Sequence, residues 1–164
     1  MPEPKLRDTI TSQLRESSRV LAATAKLAPD LEKAARALVA AYRRGNKILA
    51  FGNGGSACDA QNFADELVGR FERNRPPLPA LSLTVNTSDL TSIANDFGYE
   101  NVFSRQLEAH ALPGDVAVAI STSGNSPNVL KAVASAKRLG LLSIALTGRD
   151  GGKLKSQVDI CIRV

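Results

Sequence analysis

The sequence predicts an α/β fold in three layers: a doubly wound, five-stranded parallel sheet in flavodoxin-like order, preceded by helices. Three observations predict it. From residue 46 onward, short apolar runs alternate with helical patterns, as in consecutive βαβ units. The runs are nearly continuous in apolar residues, as strands covered on both faces are. Two polar, glycine-bearing loops each follow a strand and open a helix, where open α/β sheets bind their ligands.

The elements follow in order. Leu6, Ile10, Leu14 and Leu21 recur near helical spacing and predict an amphipathic helix over Lys5–Ala25. A second helix begins around Pro29, a residue suited to a first helical turn. It runs through Leu31, Ala35, Leu38, Val39 and Tyr42, and Gly45 stops it after two arginines. The strands are Ile48–Phe51, Ala80–Leu83, Val116–Ile120, Leu141–Leu146 and Val158–Val164. Helical segments Ala57–Phe71, Asp89–Leu112 and Pro127–Leu139 lie between them, with a short piece after Gly152 and a loop over Arg73–Pro79. The 164 residues therefore read as one domain, with N-terminal helices over 1–45 and an α/β core over 46–164.

Composition narrows the function. The net charge of +5 gives a mild attraction for anions such as phosphates. No basic run is dense, aromatics are few and no zinc-finger spacing occurs, so nucleic acid is not an expected partner. The two cysteines, Cys58 and Cys161, form no disulfide framework and suit a reducing compartment. No stretch is long and apolar enough to span a bilayer and Met1–Thr9 lacks a signal-peptide core, so no membrane is expected and a cytoplasmic location is.

The two loops carry the chemistry. Gly52-Asn53-Gly54-Gly55-Ser56 follows the first strand, and Ser121-Thr122-Ser123-Gly124-Asn125-Ser126 follows the third. In the order 2-1-3-4-5 these strands are neighbours at the topological switch point, so the loops face one crevice. Glycines let backbone N–H groups approach an anion, helix N-termini add unpaired donors, and hydroxyls add neutral ones. Neither loop contains the Gly-Lys-Ser/Thr of a P-loop or a GxGxxG dinucleotide fingerprint. The alternative for each loop alone is a βα turn capped by serine.

These loops, together with Asn95-Asp96-Phe97-Gly98-Tyr99-Glu100, Phe103-Ser104-Arg105, Ala145-Leu146-Thr147-Gly148 and Asp150-Gly151-Gly152-Lys153, resemble the sugar isomerase (SIS) domain family. Within it they are most similar to the phosphoheptose isomerases, over about Lys5 to Val164. The resemblance implies isomerisation of sedoheptulose 7-phosphate to D-glycero-D-manno-heptose 7-phosphate, an early step toward the heptose of bacterial lipopolysaccharide. It implies a homotetramer with active sites between subunits. Substrate contacts are implied at Asn53, Gly54, Gly55, Ser56, Asn95, Asp96, Ser121, Thr122, Ser123 and Ser126, with the serine-rich loop on the phosphate. A catalytic glutamate falls on Glu66.

Glu66 can also be argued from its place. Aldose–ketose isomerisation moves a proton between adjacent carbons and needs an acid/base group there. Glu66 lies ten residues beyond Ser56, about 15 Å along a helix, which suits an extended sugar or a ligand shared between subunits. The alternative is an i,i+4 ion pair with Arg70. His110, the only histidine, ends a helix and faces solvent on this reading, and Cys58 packs.

Two departures from the family concern zinc, which the resemblance implies as cofactor. The family's zinc-binding histidine falls on Asn62, and an amide oxygen is a poor zinc ligand. The family also continues past the last strand into a helix with a glutamine and a histidine, whereas these residues run to Val164. Glu66 alone remains of the expected ligand set, so sugar-phosphate binding with weak turnover and without family-type zinc is expected of residues 1–164. The rivals are a non-catalytic SIS protein that associates with the replication initiator, and a phosphosugar-sensing module. Retention of Glu66 and of the complete serine-bearing loop favours the isomerase.

Overall fold

The computed structural model describes residues 5–164. Two helices lead: α1 (Leu6–Ala23) and α2 (Ala28–Arg43), joined by a 3-10 turn over Thr24–Leu27. The core is β1 (Ile48–Gly52), α3 (Gly55–Val68), β2 (Ala80–Ser82), α4 (Thr87–Phe97), α5 (Val102–His110), β3 (Val116–Ser121), α6 (Pro127–Arg138), β4 (Leu142–Thr147) and β5 (Ile160–Arg163). The strands form one sheet in the order β2-β1-β3-β4-β5, and every pair is parallel. The doubly wound architecture and its order are as the sequence predicts.

The near-continuous apolar runs are explained by burial on both faces. Leu49 and Phe51 of β1, Ala117 and Ala119 of β3 and Ala145 of β4 join one core with α5 and α6. Ile48 and Ala50, Val116 and Val118, Ile144, Ile160 and Ile162 join a second core with residues of α2 and α3. The alternation is the period of two that a strand imposes on its side chains. On the first face β3 and β4 present alanines, and the bulk comes from elsewhere: the rings of Phe51 and Phe103 pack with centroids 5.5 Å apart.

The structure corrects one predicted element. Asp89–Leu112 is not one helical segment but α4, a 3-10 turn over Tyr99–Asn101, and α5. Gly98 breaks it with φ +86°, a conformation that a helix interior does not allow. Other boundaries move by a few residues. The segment predicted to end at Phe71 ends at Val68, and the first helix passes into the 3-10 turn after Ala23. α2 begins with Pro29 in its first turn, as predicted. α1 has its expected apolar stripe but buries none of its residues within this chain.

Candidate functional site

β1 and β3 lie side by side, with Gly52 opposite Ile120, so their C-terminal loops open onto a common cleft of about 200 Å³. Asn53 and Ser56 line it from the first loop, Ser121, Thr122, Ser123 and Ser126 from the second, and Ile120 forms its floor. The two glycine-bearing loops are thus brought together as predicted. Gly54 and Gly55 sit beside the cleft, at the N-cap and first residue of α3.

The serines are not consumed by capping. The N-cap of α3 is Gly54, and Ser56 lies inside the helix. Ser126 is the N-cap of α6, yet its side chain makes no cap hydrogen bond. Its Oγ instead lies 3.3 Å from Ser121 Oγ, and Ser121 is only 4% exposed. Two helix N-termini and several hydroxyls therefore meet in one place with donor capacity to spare, and none of the lining side chains carries a charge. That is the chemistry of an anion site, since unpaired helix donors and dipoles favour negative charge.

The loop after β4 buttresses the serine-rich loop from behind. Gly148 N–H donates to Thr122 O (3.1 Å), Leu154 N–H to Gly124 O (3.0 Å) and Lys153 N–H to Asn125 Oδ1 (3.1 Å). Asn125 folds back on its own loop, its Nδ2 donating to Ser123 O and its N–H to Ser123 Oγ. Gly124 has φ +62°, and a Cβ there would run into the Gly151 carbonyl. Backbone lies on backbone and the Asn125 side chain adds its bonds, so a second loop and Asn125 together fix the shape of the serine loop.

Two residues that sequence reasoning missed stand outside the cleft lining and hold Asn53. Asn128, in the first turn of α6 and 2% exposed, exchanges two hydrogen bonds with Asn53: Asn53 Nδ2 to Asn128 Oδ1 at 2.9 Å, and Asn128 Nδ2 to Asn53 Oδ1 at 2.8 Å. Tyr99 Oη donates to Asn53 Oδ1 at 3.2 Å. A polar residue in the first turn of a helix that opens from the serine loop was the available signal for Asn128. Tyr99 lay within a quoted motif without a role of its own.

The remaining predicted residues stand apart from the cleft within this chain. Asn95 and Asp96 lie on α4, exposed, with Asn95 Nδ2 donating to Asp96 Oδ1. Glu66 is exposed in the last turns of α3. The Arg70 ion pair weighed as its alternative role is not formed: Arg70 Nη1 donates to Asn74 Oδ1 at 2.9 Å. Arg75 Nη2 donates to the Glu66 carbonyl at 2.5 Å and Arg75 Nη1 to that of Leu67 at 2.8 Å, tying off the end of α3. His110 ends α5 and is exposed. Cys58 is exposed on α3 rather than packed. For zinc, Glu66 and Asn62, one helical turn apart, are two oxygen donors. Among the described residues no three His, Cys, Asp or Glu side chains come together, and a catalytic zinc site needs three protein ligands. Within the described residues, these two oxygens are the donors at that position.

The SIS domain family model matches residues 14–148. The chain is 55% identical over 163 residues to the phosphoheptose isomerase of Thiobacillus denitrificans, covering 97% of this chain and 83% of that one. It is 51% identical over 154 residues to that of Geobacter sp., covering 93% and 80%. Among solved structures, phosphoheptose isomerase from Neisseria gonorrhoeae superposes with a TM-score of 0.92 at 42% identity, over 97% of this chain and 85% of that one. The enzyme from Francisella tularensis superposes with a TM-score of 0.95 at 38% identity, over 98% and 86%.

Proposed function

Because the chain belongs to the SIS domain family and stands among its phosphoheptose isomerases, we propose that it is a sugar-phosphate isomerase acting on sedoheptulose 7-phosphate in the pathway to lipopolysaccharide heptose. The observation that carries the reading is the uncharged cleft where uncapped helix N-termini and unconsumed serine hydroxyls converge between β1 and β3. The phosphate occupies that cleft, held by Ser56, Ser121, Thr122, Ser123 and Ser126 with backbone N–H groups of Gly54 and Gly55. The sugar extends from it toward Asn95, Asp96 and Glu66.

Glu66 is the acid/base group. It takes a proton from the hydroxyl-bearing carbon while the neighbouring carbonyl oxygen gains one to give the enediol. A proton then returns to the former carbonyl carbon as the other hydroxyl loses its own and becomes the new carbonyl. Its distance along α3 from the phosphate end means that the reacting carbons lie far from the phosphate, or that the site is shared between subunits. The second arrangement agrees with the surface of α1, whose Leu6, Leu14 and Leu21 are 76%, 67% and 74% exposed. An apolar stripe of this kind is a contact surface, so the protein is a homo-oligomer, a tetramer in the family's manner. No helix of the described residues is long and apolar enough to cross a membrane, and the cytoplasm, where sugar phosphates are made, is its compartment.

The test is binding and turnover of sedoheptulose 7-phosphate by the wild type and Glu66→Gln. Expected is binding by both proteins, and turnover that falls by roughly 10²–10⁴-fold in the variant. Unchanged turnover removes Glu66 from the mechanism. Binding by both with no turnover in either favours a sensing module. Absence of binding sinks the reading. Light scattering of a monomer at high micromolar concentration would remove the oligomer, and stoichiometric zinc with metal-dependent activity would overturn the expectation of turnover without family-type zinc.

A further inference from the structure

Asn53 faces the cleft with an amide whose orientation matters, because its two ends have opposite chemistry. An oxygen turned to the ligand repels phosphate and hydroxylate oxygens, whereas an N–H attracts them. Which end faces the ligand is decided outside the cleft.

The sequence of constraints starts at Val129. It is the third residue of α6, and its backbone N–H lies where no intrahelical acceptor is available. It donates to Asn128 Oδ1 at 3.0 Å. A backbone N–H can only donate, so this contact fixes the oxygen of Asn128 and leaves its Nδ2 as the other end. That Nδ2 meets Asn53 at 2.8 Å and requires an acceptor there, which is Asn53 Oδ1. Asn53 Nδ2 then uses one hydrogen on Asn128 Oδ1 at 2.9 Å. The Tyr99 hydroxyl donates to Asn53 Oδ1 from outside, at 3.2 Å, and occupies its second lone pair. One group of the Asn53 amide remains uncommitted: the second hydrogen of Nδ2.

We infer that Asn128, assisted by Tyr99, is a positioning residue that holds Asn53 as a hydrogen-bond donor toward the bound sugar phosphate. Asn128 touches no substrate. It is 2% exposed and is absent from the cleft lining, so it acts through Asn53. The arrangement explains why a polar amide is buried in the first turn of a helix otherwise packed by Val129, Ala132, Val133 and Ala136. The paired amides satisfy each other, which avoids the cost of an unpaired buried polar group. They also choose the polarity of the cleft wall. The inference rests on the sugar-phosphate reading of the cleft.

The experiment compares wild type, Asn53→Ala, Asn128→Ala, Tyr99→Phe and the Asn53→Ala/Asn128→Ala double variant. Calorimetry uses sedoheptulose 7-phosphate and inorganic phosphate as separate probes, and ¹⁵N spectra follow the Asn53 side-chain NH₂ group. Expected is a loss of sugar-phosphate affinity of roughly two- to tenfold in Asn128→Ala and in Tyr99→Phe. In the Asn53→Ala background, Asn128→Ala should add nothing, because a residue that acts only through Asn53 has nothing left to position. A merely structural Asn128 would weaken binding in both backgrounds alike, and that additivity would overturn the inference. The Asn53 NH₂ signals should show slow exchange in wild type and faster exchange in Tyr99→Phe. This variant loses one hydroxyl from a largely exposed ring and keeps the test alive if Asn128→Ala fails to fold. Wild-type affinity in both single variants overturns the inference and leaves the isomerase reading standing. A wild type that binds neither probe overturns that reading instead, and the exchange of the Asn53 amide in Tyr99→Phe then decides its orientation alone.

Discussion

The two ends of the same strands are built to opposite rules. At the C-terminal end, β1 and β3 open into loops of glycine, serine and asparagine, and the cleft between them is lined by no charged side chain. At the N-terminal end, the residues just before the strands carry full charges that are satisfied across the sheet. Asp115, 1% exposed, accepts from Lys47 Nζ at 2.6 Å, Lys47 N–H at 3.0 Å and Leu112 N–H at 2.8 Å, and so joins the starts of β1 and β3. Asp159, just before β5, accepts from the N–H and Oγ of Ser143 at the start of β4. Both carboxylates have every donor they need from within the chain, whereas the hydroxyls at the other end are left with capacity unused. A fold can spend satisfied charge where only stability is required. It keeps neutral, unsatisfied donors where a charged ligand must arrive.

The largest expected effect breaks the stabilising end. Asp115→Ala strands the Lys47 ammonium, whose side chain is 26% exposed, and orphans two backbone donors. Breaking a buried pair costs about 3 kcal/mol here, the low end of the usual range because Lys47 keeps some contact with water. Denaturant unfolding should show that loss, while phosphate affinity of the folded protein stays at the wild-type level. The same end sets the acid limit. Burial raises the Asp115 carboxyl, but the hydrogen bonds from Lys47 and Leu112 and the Lys47 charge outweigh it and hold the pKa below the ordinary carboxylate value. Asp159 is depressed likewise, by Ser143 and the charge of Lys137 against its burial. A depressed folded-state pKa gives stability that is complete above the unfolded value, near 3.9, and is lost as pH falls through the folded one. Stability should therefore hold from neutrality to about pH 5 and drop below about pH 4. Asp159→Asn should flatten that drop.

A smaller effect on stability, with a larger one on function, is expected where the two rules meet. Gly124→Ala places a side chain at φ +62° and against the Gly151 carbonyl. The left-handed conformation alone costs roughly 1–3 kcal/mol, and the displaced loop should no longer bind phosphate measurably by calorimetry. Retained affinity would mean that the loop after β4 does not shape the site.

How much of this contrast could be read in the sequence differs between the ends. Strand order and the pairing of the two loops were legible because glycine and serine clusters after apolar runs mark βα turns whatever the tertiary packing. Lys47–Asp115 was not, since sequence spacing cannot show which charges meet across 68 residues. The pairing of Asn128 was not legible either, because its partner, Asn53, lies 75 positions away. Gly98 falls inside a segment predicted as helical because apolar periodicity continues on both sides of it. Glu66 was placed on the right helix by its spacing, but its environment depends on surfaces that one chain leaves open.

Ser121→Ala and Ser123→Ala sharpen the comparison at the ligand end. Each removes a hydroxyl with one weak partner, Ser126 Oγ for Ser121 and the Asn125 N–H for Ser123, so stability should change by no more than about 1 kcal/mol. Each should weaken binding of sedoheptulose 7-phosphate by about 1 kcal/mol, the value of one hydrogen bond. Unchanged affinity in the double variant would remove the phosphate from the cleft.

The smallest effect follows from neutrality itself. The cleft is lined by asparagine, serine, threonine and isoleucine, none of which titrates between pH 5 and 9. A site built on lysine or histidine would lose affinity as its own group lost charge, but this one has nothing to lose. Its affinity for a phosphate monoester should instead follow the ligand. Binding should strengthen as the monoester loses its second proton near pH 6 and gains charge, and then stay level up to pH 9. The gain should be modest, because hydroxyls and helix N–H groups that already bind the monoanion bind the dianion more tightly only through the added charge at the helix dipoles. Calorimetry of inorganic phosphate or a simple sugar phosphate from pH 5 to 9 would trace the curve. A second inflection, displaced from the ligand's own ionisation, would place a titrating side chain in the cleft. That group would have to come from outside the residues that line the cleft here.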